Sequence, residues 1–206
     1  MLYGKWTRVT AYWGLAALAL WAGAAAVCPG SQCRVPALDQ YLLNALFAAQ
    51  VPWLNAFIAA ATWLGSMAVL APAALLLALV LRRTLPPADA WLPALSLGGV
   101  WLIAHATKLA IVRPRPALYL ALIDMPADAS FPSAHAMQVC AFALACVLIA
   151  GARHRAAMIL AAVLFIFVAA VSRLYLQVHF PSDVMAGIAA AAGWVLGLHL
   201  LIRKSP

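Results

Sequence analysis

Residues 184–202 read VMAGIAAAAGWVLGLHLLI and contain no Asp, Glu, Lys or Arg. A run of this kind is long enough for one helix to cross a membrane, since spanning about 30 Å of hydrocarbon takes roughly 17 to 25 mainly apolar residues. Similar stretches precede it at residues 11–27, 56–81, 91–112, 133–150 and 156–171. The sequence therefore predicts an all-α polytopic membrane protein, with six transmembrane helices in a bundle that forms a single domain over residues 1–206.

The composition of the whole chain indicates the same class of protein. The chain has 206 residues, of which 67% are hydrophobic and 9% charged, and its mean hydropathy is +1.00. Because a soluble domain usually carries about 25% charged residues, this composition excludes a water-soluble enzyme, a disordered chain and a nucleic-acid-binding tail. We therefore expect the lipid bilayer as a partner and no nucleic acid, while the sequence leaves the oligomeric state open.

The net charge is +8, and the cations are distributed unevenly among the predicted loops. Lys5 and Arg8 precede the first predicted span. Basic pairs follow the second, fourth and sixth spans, at Arg82 and Arg83, Arg153 and Arg155, and Arg203 and Lys204. Since basic loops stay on the cytoplasmic side, this alternation predicts a multi-pass membrane protein with both termini in the cytoplasm. The loops after spans one, three and five then face the periplasmic or extracellular side.

The first predicted outer loop, residues 28–55, has the features of a short helix on the membrane surface. Its apolar residues recur at helical spacing, which is typical of an interfacial amphipathic helix; they are Leu38, Leu42, Leu43, Leu46 and Phe47. Such a helix would be either a substrate-access element or a cover on the bundle, and we favour the cover. In the same loop, Cys28 and Cys33 are able to form a disulfide on the oxidising side of the membrane.

Five cations fall outside the charge pattern: Arg34, Lys108, Arg113, Arg115 and Arg173. A Lys or Arg at membrane depth is costly unless it is paired, so such residues usually mark a functional site. Four of the five cluster near predicted spans three and five, on the outward side. This cluster predicts a site for an anion.

Three short segments bring reactive or phosphate-binding side chains to this face: KLAIVRPRP at 108–116, PSAH at 132–135 and SRLYLQVHFPSD at 172–183. The guanidinium forks of Arg115 and Arg173 match the oxygens of a phosphoryl group, and Lys108 adds a point charge. Ser133 is placed as the N-cap of span four, which would leave the next backbone N–H groups directed at an anion. Together these groups predict a phosphate site.

The third segment also supplies a nucleophile and its partner. His179 and Asp183 are four residues apart around Pro181, and Ser182 is expected to cap the helix that follows. In a compact turn, the Asp183 carboxylate would accept a hydrogen bond from one imidazole nitrogen and leave the other free as a nucleophile. His135 would then protonate the leaving oxygen. Phosphoryl transfer of this kind depends on positioning and electrostatics, so we expect neither a metal nor another cofactor.

In combination, the three segments resemble the signature of the type 2 phosphatidic acid phosphatase family, which reads Lys-x6-Arg-Pro, Pro-Ser-Gly-His and Ser-Arg-x5-His-x3-Asp. The resemblance implies a metal-independent lipid phosphatase that passes through a phosphohistidine. It implies that His179 is the nucleophile, Asp183 its orienting partner and His135 the general acid. It implies phosphate binding by Lys108, Arg115, Ser133, Ala134 and Arg173. Ala134 stands where the family pattern has Gly, and its methyl group is expected to affect the geometry of the N–H contact more than the chemistry.

Two residues near the signature have two interpretations each. Arg113 is either a further contact to the phosphate or headgroup, or a loop cation paired with Asp124 or Asp128. His105 lies one turn before Lys108, and we favour a packing role for it over a contact with the site.

The resemblance favours hydrolysis of undecaprenyl diphosphate to undecaprenyl phosphate at the outer membrane face, because recycling of this carrier needs an outward-facing phosphatase. The alternatives within the family are a phosphatase for phosphatidylglycerol phosphate or phosphatidate, and a phosphatase or phosphotransferase acting on lipid A. A transporter or channel is an alternative from a different class. It predicts charges at several depths of the bundle, whereas the cations here gather at one end.

Overall fold

The computed structural model describes residues 2–203, and every regular element within this range is a helix. The α-helices are α1 (Leu2–Val27), α2 (Ala37–Ala48), α3 (Pro52–Ala61), α4 (Met67–Leu81), α5 (Pro87–Ala110), α6 (Ala134–Ile149), α7 (Ala152–Tyr175) and α8 (Pro181–Ile202). The all-α prediction is therefore confirmed. Lys204, one of the cations in the charge pattern, lies outside the described residues.

Four of the described helices are long and apolar enough to cross a membrane, namely α1 from Gly4 onward, α5, α7 and α8. A fifth candidate is formed by α3 and α4 together, which are bent by 44° across a 3-10 turn at Thr62–Gly65. The prediction of a polytopic membrane protein is confirmed, whereas the count of six spans is not. The remaining apolar helix, α6, has 16 residues and is only about 24 Å long at 1.5 Å per residue.

The predicted span over residues 56–81 is not one continuous helix, because it is interrupted at Gly65 and Ser66. Ser66 has an extended backbone, with φ −76° and ψ 152°. A Cβ on Gly65 would lie 2.8 Å from Cγ2 of Val139 in α6. The absence of a side chain at Gly65 lets this turn pack directly against α6.

α6 lies in the middle of the bundle and packs against α5, α7 and α8. Buried residues from α5, α6 and α8 form one core cluster, which includes Leu92, Val100, Met137, Cys140 and Val195. On another side of α6, Val139 packs with Leu97 of α5 and Ala169 of α7. Large apolar side chains such as Trp21 and Phe167 are exposed, as expected for surfaces that face lipid.

Small residues let α1 pack closely along α8. A Cβ on Gly193 would lie 2.7 Å from the carbonyl oxygen of Tyr12, so the two backbones are nearly in contact. The rings of Trp13 and Trp194 stack with their centroids 5.5 Å apart. The last turn of α1 packs beside the first turns of α8, so the two helices are antiparallel.

α5 and α7 end, and α6 and α8 begin, at the same end of the bundle, which we call the site end. The helix predicted in residues 28–55 is present as α2, and its Asp39 and Leu43 are buried against the bundle. The side-chain amide of Gln177, which follows α7, donates a hydrogen bond to the carbonyl oxygen of Leu43 at 3.1 Å. α2 therefore covers the site end, and its location at a membrane interface stays a prediction.

The segment between α1 and α2 folds back on the end of α1. Cys28 and Cys33 form a disulfide within it, as the sequence allows. The N–H of Arg34 donates to the carbonyl oxygen of Val27 at 2.7 Å. This segment thus leads the chain from α1 across to α2 at the site end.

Candidate active site

His179 lies in the short segment between α7 and α8, Asp183 lies in the first turn of α8, and both side chains are buried. Nδ1 of His179 is 3.6 Å from Oδ2 of Asp183. The hydroxyl of Ser130 donates to the same oxygen at 2.5 Å and lies 3.4 Å from Nδ1. One imidazole nitrogen therefore faces the carboxylate, and the other is directed elsewhere.

Asp183 also caps the helix that carries it. α8 begins at Pro181 with Phe180 as its N-cap residue, and the N–H of Phe180 donates to Oδ2 of Asp183 at 3.0 Å. The prediction that Ser182 caps this helix is wrong, because Ser182 already lies inside the helix and its hydroxyl contacts Asp39. The cap fixes the carboxylate relative to the residue that follows His179.

The second imidazole nitrogen, Nε2 of His179, is 3.2 Å from Nη1 of Arg115. The same guanidinium nitrogen donates to the carbonyl oxygen of Val178 at 2.7 Å, which holds Arg115 beside the imidazole. Burial lowers the pKa of His179 to about 3 and outweighs the hydrogen bond with Asp183, which acts in the opposite direction. The imidazole is therefore neutral at neutral pH, as a nucleophile requires.

Asp128 lies between two of the predicted phosphate-binding residues. Its Oδ2 is 2.9 Å from Nζ of Lys108, and its Oδ1 accepts a hydrogen bond from Nη2 of Arg115 at 2.5 Å. Burial alone would raise the pKa of Asp128, but the hydrogen bonds from these two cations outweigh burial and lower the pKa to about 2. Two anionic oxygens are thus held where Lys108 and Arg115 converge.

Two other predicted phosphate-binding side chains retain unused hydrogen-bonding capacity. Ser133 is the N-cap residue of α6, as expected, but its side chain makes no capping bond. Within the described part of the chain, the buried Oγ of Ser133 and the buried Nε of Arg173 have no hydrogen-bond partner. Nη1 of Arg173 donates to Oγ1 of Thr62 at 2.9 Å. Since buried polar atoms are normally paired, these two atoms suit a polar ligand.

The backbone at the start of α6 is held against α8. The N–H of Ser133 donates to the carbonyl oxygen of Asp183 at 3.1 Å. A Cβ on Gly187 would lie 3.1 Å from the carbonyl oxygen of Ser133, so glycine permits this approach. Ala134 is the first residue of α6, where unpaired N–H groups and the partial positive charge of the helix favour an anion.

His135, in the first turn of α6, lines a cavity of about 520 Å³. The cavity lies between the turn that carries Thr62 and Ser66 and the loop at residues 123–126, and Arg173 lines it as well. The buried hydroxyl of Ser66 has no hydrogen-bond partner among the described residues. His135 is also within electrostatic reach of the cations at the site end. The predicted general acid therefore faces a space that is large enough for part of a substrate.

The structure brings the residues of the three motifs to one end of the bundle, namely Lys108, Arg115, Ser133, Ala134, His135, Arg173, His179 and Asp183. His105 is exposed on α5, and its contacts are with Trp101. Nδ1 of His105 lies 2.8 Å from the Trp101 carbonyl oxygen, and the two rings are 4.4 Å apart. These contacts favour the packing role for His105.

Of the two interpretations of Arg113, the one that pairs it with Asp124 or Asp128 is wrong. The Arg113 side chain is buried and pairs with Asp183 at 2.5 Å and with Asp39 at 3.1 Å. The physical reason is that Asp128 is already held by two other cations, whereas Asp39 and Asp183 are buried carboxylates that need a counter-charge.

The sequence motifs assign no role in the site to four residues that contact it, which are Asp39, Thr62, Asp128 and Ser130. Asp128 and Ser130 come shortly before the PSAH segment, so their proximity to a motif was a usable signal. Asp39 lies four residues before Leu43, which places a carboxylate on the apolar face of a predicted helix. Thr62 had no such signal, because only the fold brings it to Arg173.

The fold and the site define a helical membrane protein with a cationic, histidine-containing site at one end of its bundle. The model of the PAP2 superfamily matches residues 89–206. The chain therefore belongs to the PAP2 superfamily, which confirms the resemblance inferred from the three motifs, and it is an enzyme of the phosphatase class.

Two solved structures are similar to this chain over most of its length. One is a transmembrane PAP2 type phosphatidylglycerolphosphate phosphatase from Bacillus subtilis, with a TM-score of 0.75 and 26% sequence identity over 91% of this chain and 92% of that chain. The other is Aquifex aeolicus LpxE, with a TM-score of 0.64 and 25% identity over 81% of this chain and 96% of that chain. No curated protein sequence matches the chain.

Proposed function

We propose that this chain hydrolyses a phosphate or diphosphate ester carried by a membrane lipid, without a metal ion and through a phosphohistidine at His179. The observation that carries the proposal is the placement of the two imidazole nitrogens. Nδ1 faces Asp183 at 3.6 Å and Nε2 faces Arg115 at 3.2 Å. A neutral imidazole that is oriented by a carboxylate and directed into a cationic site is arranged to attack phosphorus.

The phosphoryl group would be held by groups from four parts of the chain. Lys108, Arg115 and Arg173 supply positive charge, the Ser133 hydroxyl supplies a hydrogen bond, and the N–H at Ala134 supplies the helix terminus. Catalysis of phosphoryl transfer depends mainly on such positioning and charge stabilisation.

In the first step, Nε2 of His179 forms a bond to phosphorus while the bond to the leaving oxygen breaks. His135, in its protonated form, gives its proton to that oxygen, and Asp183 stabilises the positive charge on the imidazole. In the second step, water attacks phosphorus, the neutral His135 accepts the water proton, and the P–N bond breaks. Phosphate leaves, and both histidines return to their starting protonation states.

The cavity beside His135 would hold the leaving group, because the proton donor must face the leaving oxygen. Its lining combines apolar Trp63 and Ile123 with the Ser66 hydroxyl, which suits the part of a lipid next to its phosphate. We propose undecaprenyl diphosphate as the substrate, with undecaprenyl phosphate as the leaving group. Phosphatidylglycerol phosphate is the second candidate, because the similar Bacillus subtilis enzyme is a phosphatidylglycerolphosphate phosphatase.

We also propose that residues 1–206 form one domain with six spans, of which α6 is the fourth, in the bacterial inner membrane. Both termini would lie in the cytoplasm, the site end would face outward, and α2 would lie at the outer interface. The support is the position of basic residues at the helix ends opposite the site end: Arg82, Arg83, Arg153, Arg155 and Arg203.

The test is phosphate release by the purified protein from undecaprenyl diphosphate, phosphatidylglycerol phosphate, phosphatidate and lipid A, with and without a metal chelator. We expect the fastest release from undecaprenyl diphosphate and no effect of the chelator. His179→Ala is expected to lower the rate by about a thousandfold or more, because the nucleophile is removed. The matched control is His154→Ala, an exposed histidine at the start of α7, which should keep the wild-type rate.

A second measurement detects the intermediate directly. Lipid labelled in its terminal phosphate should transfer the label to wild-type protein in an acid-labile form, as expected of a phosphorus–nitrogen bond, and should leave His179→Ala unlabelled. Complete loss of activity in the chelator would contradict the metal-free mechanism. Failure to release phosphate from any of the four lipids would contradict the proposed substrates.

A further inference from the structure

Arg113 follows α5 in a buried position, with 1% of its side chain exposed. Its Nη1 donates to Oδ1 of Asp183 at 2.5 Å and to Oγ of Ser182 at 2.8 Å. Its Nη2 donates to Oδ2 of Asp39 at 3.1 Å and to the carbonyl oxygen of Arg34 at 3.2 Å. The guanidinium thus bridges two buried carboxylates, one in α2 and one in α8.

Asp39 holds the start of α8 from the side of α2. Its Oδ1 accepts the N–H of Ser182 at 2.9 Å, and its Oδ2 accepts the hydroxyl of Ser182 at 2.5 Å. The ring of Phe180 lies 4.1 Å from Cζ of Arg113, in the arrangement of a cation–π contact. α2, the segment after α5 and the first turn of α8 are therefore joined in one buried hydrogen-bond network.

The two oxygens of Asp183 have different partners. Oδ2 faces His179, the Ser130 hydroxyl and the N–H of Phe180, whereas Oδ1 faces Arg113. A buried carboxylate that lacks a partner on one side is costly and is less restrained about its terminal torsion. Arg113 therefore fixes the direction from which Asp183 meets Nδ1 of His179.

We propose that Arg113 and Asp39 are positioning residues for the reaction: Arg113 orients Asp183, and Asp39 holds both Arg113 and the first turn of α8 in place. This inference rests on the proposed function, in which Asp183 orients the nucleophile. Arg113 contacts Asp183 itself, and Asp39 contacts the neighbouring Ser182. Their loss should therefore slow phosphohistidine formation and leave phosphate binding nearly unchanged.

The test is the exchange of oxygen-18 between water and inorganic phosphate, which needs reversible phosphohistidine formation but no lipid. Nε2 of His179 attacks phosphorus, one phosphate oxygen leaves as water, and the reverse reaction returns an oxygen from labelled solvent. With the full-length protein in detergent, the maximal rate reports the chemical step. The phosphate concentration at half-maximal rate reports binding.

We expect Arg113→Lys to lower the maximal rate about 30- to 100-fold and to change the half-maximal phosphate concentration less than about threefold, because an ammonium group cannot bridge two carboxylates as a planar fork does. Asp39→Asn should lower the maximal rate about tenfold. Matched controls are Arg203→Lys and Asp89→Asn, from an ion pair of 3.4 Å at the opposite end of the bundle. Both should keep the wild-type rate.

A double-mutant cycle distinguishes positioning from general loss of structure. In Asp183→Asn protein, adding Arg113→Lys should lower the rate less than about threefold, because the carboxylate that Arg113 orients has been removed. If Arg113→Lys does not fold, Ser182→Ala replaces it, since this change deletes one hydroxyl of the network and no charge. That variant should show a maximal rate about three- to tenfold lower with unchanged phosphate affinity.

Several results would overturn the inference. One is a near-wild-type maximal rate in the folded variants, and another is additive effects in the double-mutant cycle. A third is a loss confined to phosphate affinity, because this would make Arg113 a phosphate contact. Wild-type protein that neither exchanges oxygen nor hydrolyses any lipid would overturn the proposed function and this inference together. If the wild type is active and the variants exchange oxygen at the wild-type maximal rate, the inference alone is overturned.

Discussion

Asp128 pairs with two of the cations that we propose bind phosphate, Lys108 and Arg115. The Lys108 side chain is 5% exposed and the Asp128 side chain 48% exposed, so the buried cation is paired with an anion that borders on solvent. Carboxylate and phosphate oxygens bind the same donors. An incoming phosphate would therefore replace Asp128 at Lys108 and Arg115, and Asp128 would turn toward water.

We expect Asp128→Asn to lower the concentration of inorganic phosphate that half-inhibits lipid hydrolysis by roughly three- to tenfold, because a neutral amide competes less well for Lys108 and Arg115. The measurement is a phosphate titration of the hydrolysis rate. Asp89→Asn, at the opposite end of the bundle, is the matched control and should leave this concentration unchanged. A higher half-inhibitory concentration would instead mean that Asp128 holds the two cations in place for phosphate.

At the scale of elements, the site is assembled from helix ends. α6 and α8 both begin there, and helix N-termini favour anions. The break between α3 and α4 brings Thr62 to Arg173 and places Ser66 in the wall of the cavity. The bend in the second predicted span is therefore part of the site, because a straight helix would carry these two hydroxyls elsewhere.

Gly65→Ala tests this close packing. The new Cβ would lie 2.8 Å from Cγ2 of Val139 and 3.5 Å from Cδ2 of His135, so we expect the free energy of unfolding to fall by about 1–3 kcal/mol, as for other overpacked cores. The hydrolysis rate should fall with it, because α6 carries His135, the proposed general acid. The measurement is thermal unfolding in detergent together with the lipid assay.

The control for this prediction is Gly98→Ala in α5, where a Cβ would meet no atom within 4 Å. Alanine is the better helix former by about 0.8–1 kcal/mol, so this variant should be at least as stable as the wild type. Equal stability of Gly65→Ala and the wild type would show that the turn is not tightly packed on α6.

At the scale of the whole molecule, charge is divided between the two ends of the bundle. The site end carries buried cations that are paired with Asp39, Asp128 and Asp183. The opposite end carries cations that are largely exposed, such as Arg153 and Arg155. Only the second kind of cation acts as a topology signal, so the paired cations of the site do not oppose the proposed orientation.

Cysteine labelling tests that orientation. Ala127→Cys at the site end should react with a membrane-impermeant maleimide in intact cells, and His154→Cys should react only in inverted vesicles; both positions are exposed. Cys146, a partly exposed free thiol, is replaced by Ser in both variants to keep background labelling low; Cys28 and Cys33 form a disulfide and Cys140 is buried. The reverse pattern would place the site end in the cytoplasm.

Local spacing explains how much of the site could be predicted. His179 and Asp183 lie within one turn of each other in the chain, so their contact follows from any compact turn. The uniformly apolar composition of residues 56–81 predicts a single helix. Its break depends on how Gly65 meets Val139, a contact between residues that are remote in sequence.

The motifs and the apolar stretches of the sequence are enough to predict a helical membrane protein of the PAP2 superfamily and to propose a phosphate site at one end of it. Apolar length and motif spacing are local properties that survive without coordinates. The partners of the buried charges, in contrast, depend on how the helices pack in three dimensions. Arg113 and Asp39 are 74 residues apart and meet because α2 packs over the start of α8, and a buried charge pairs with whichever opposite charge the packing brings near it.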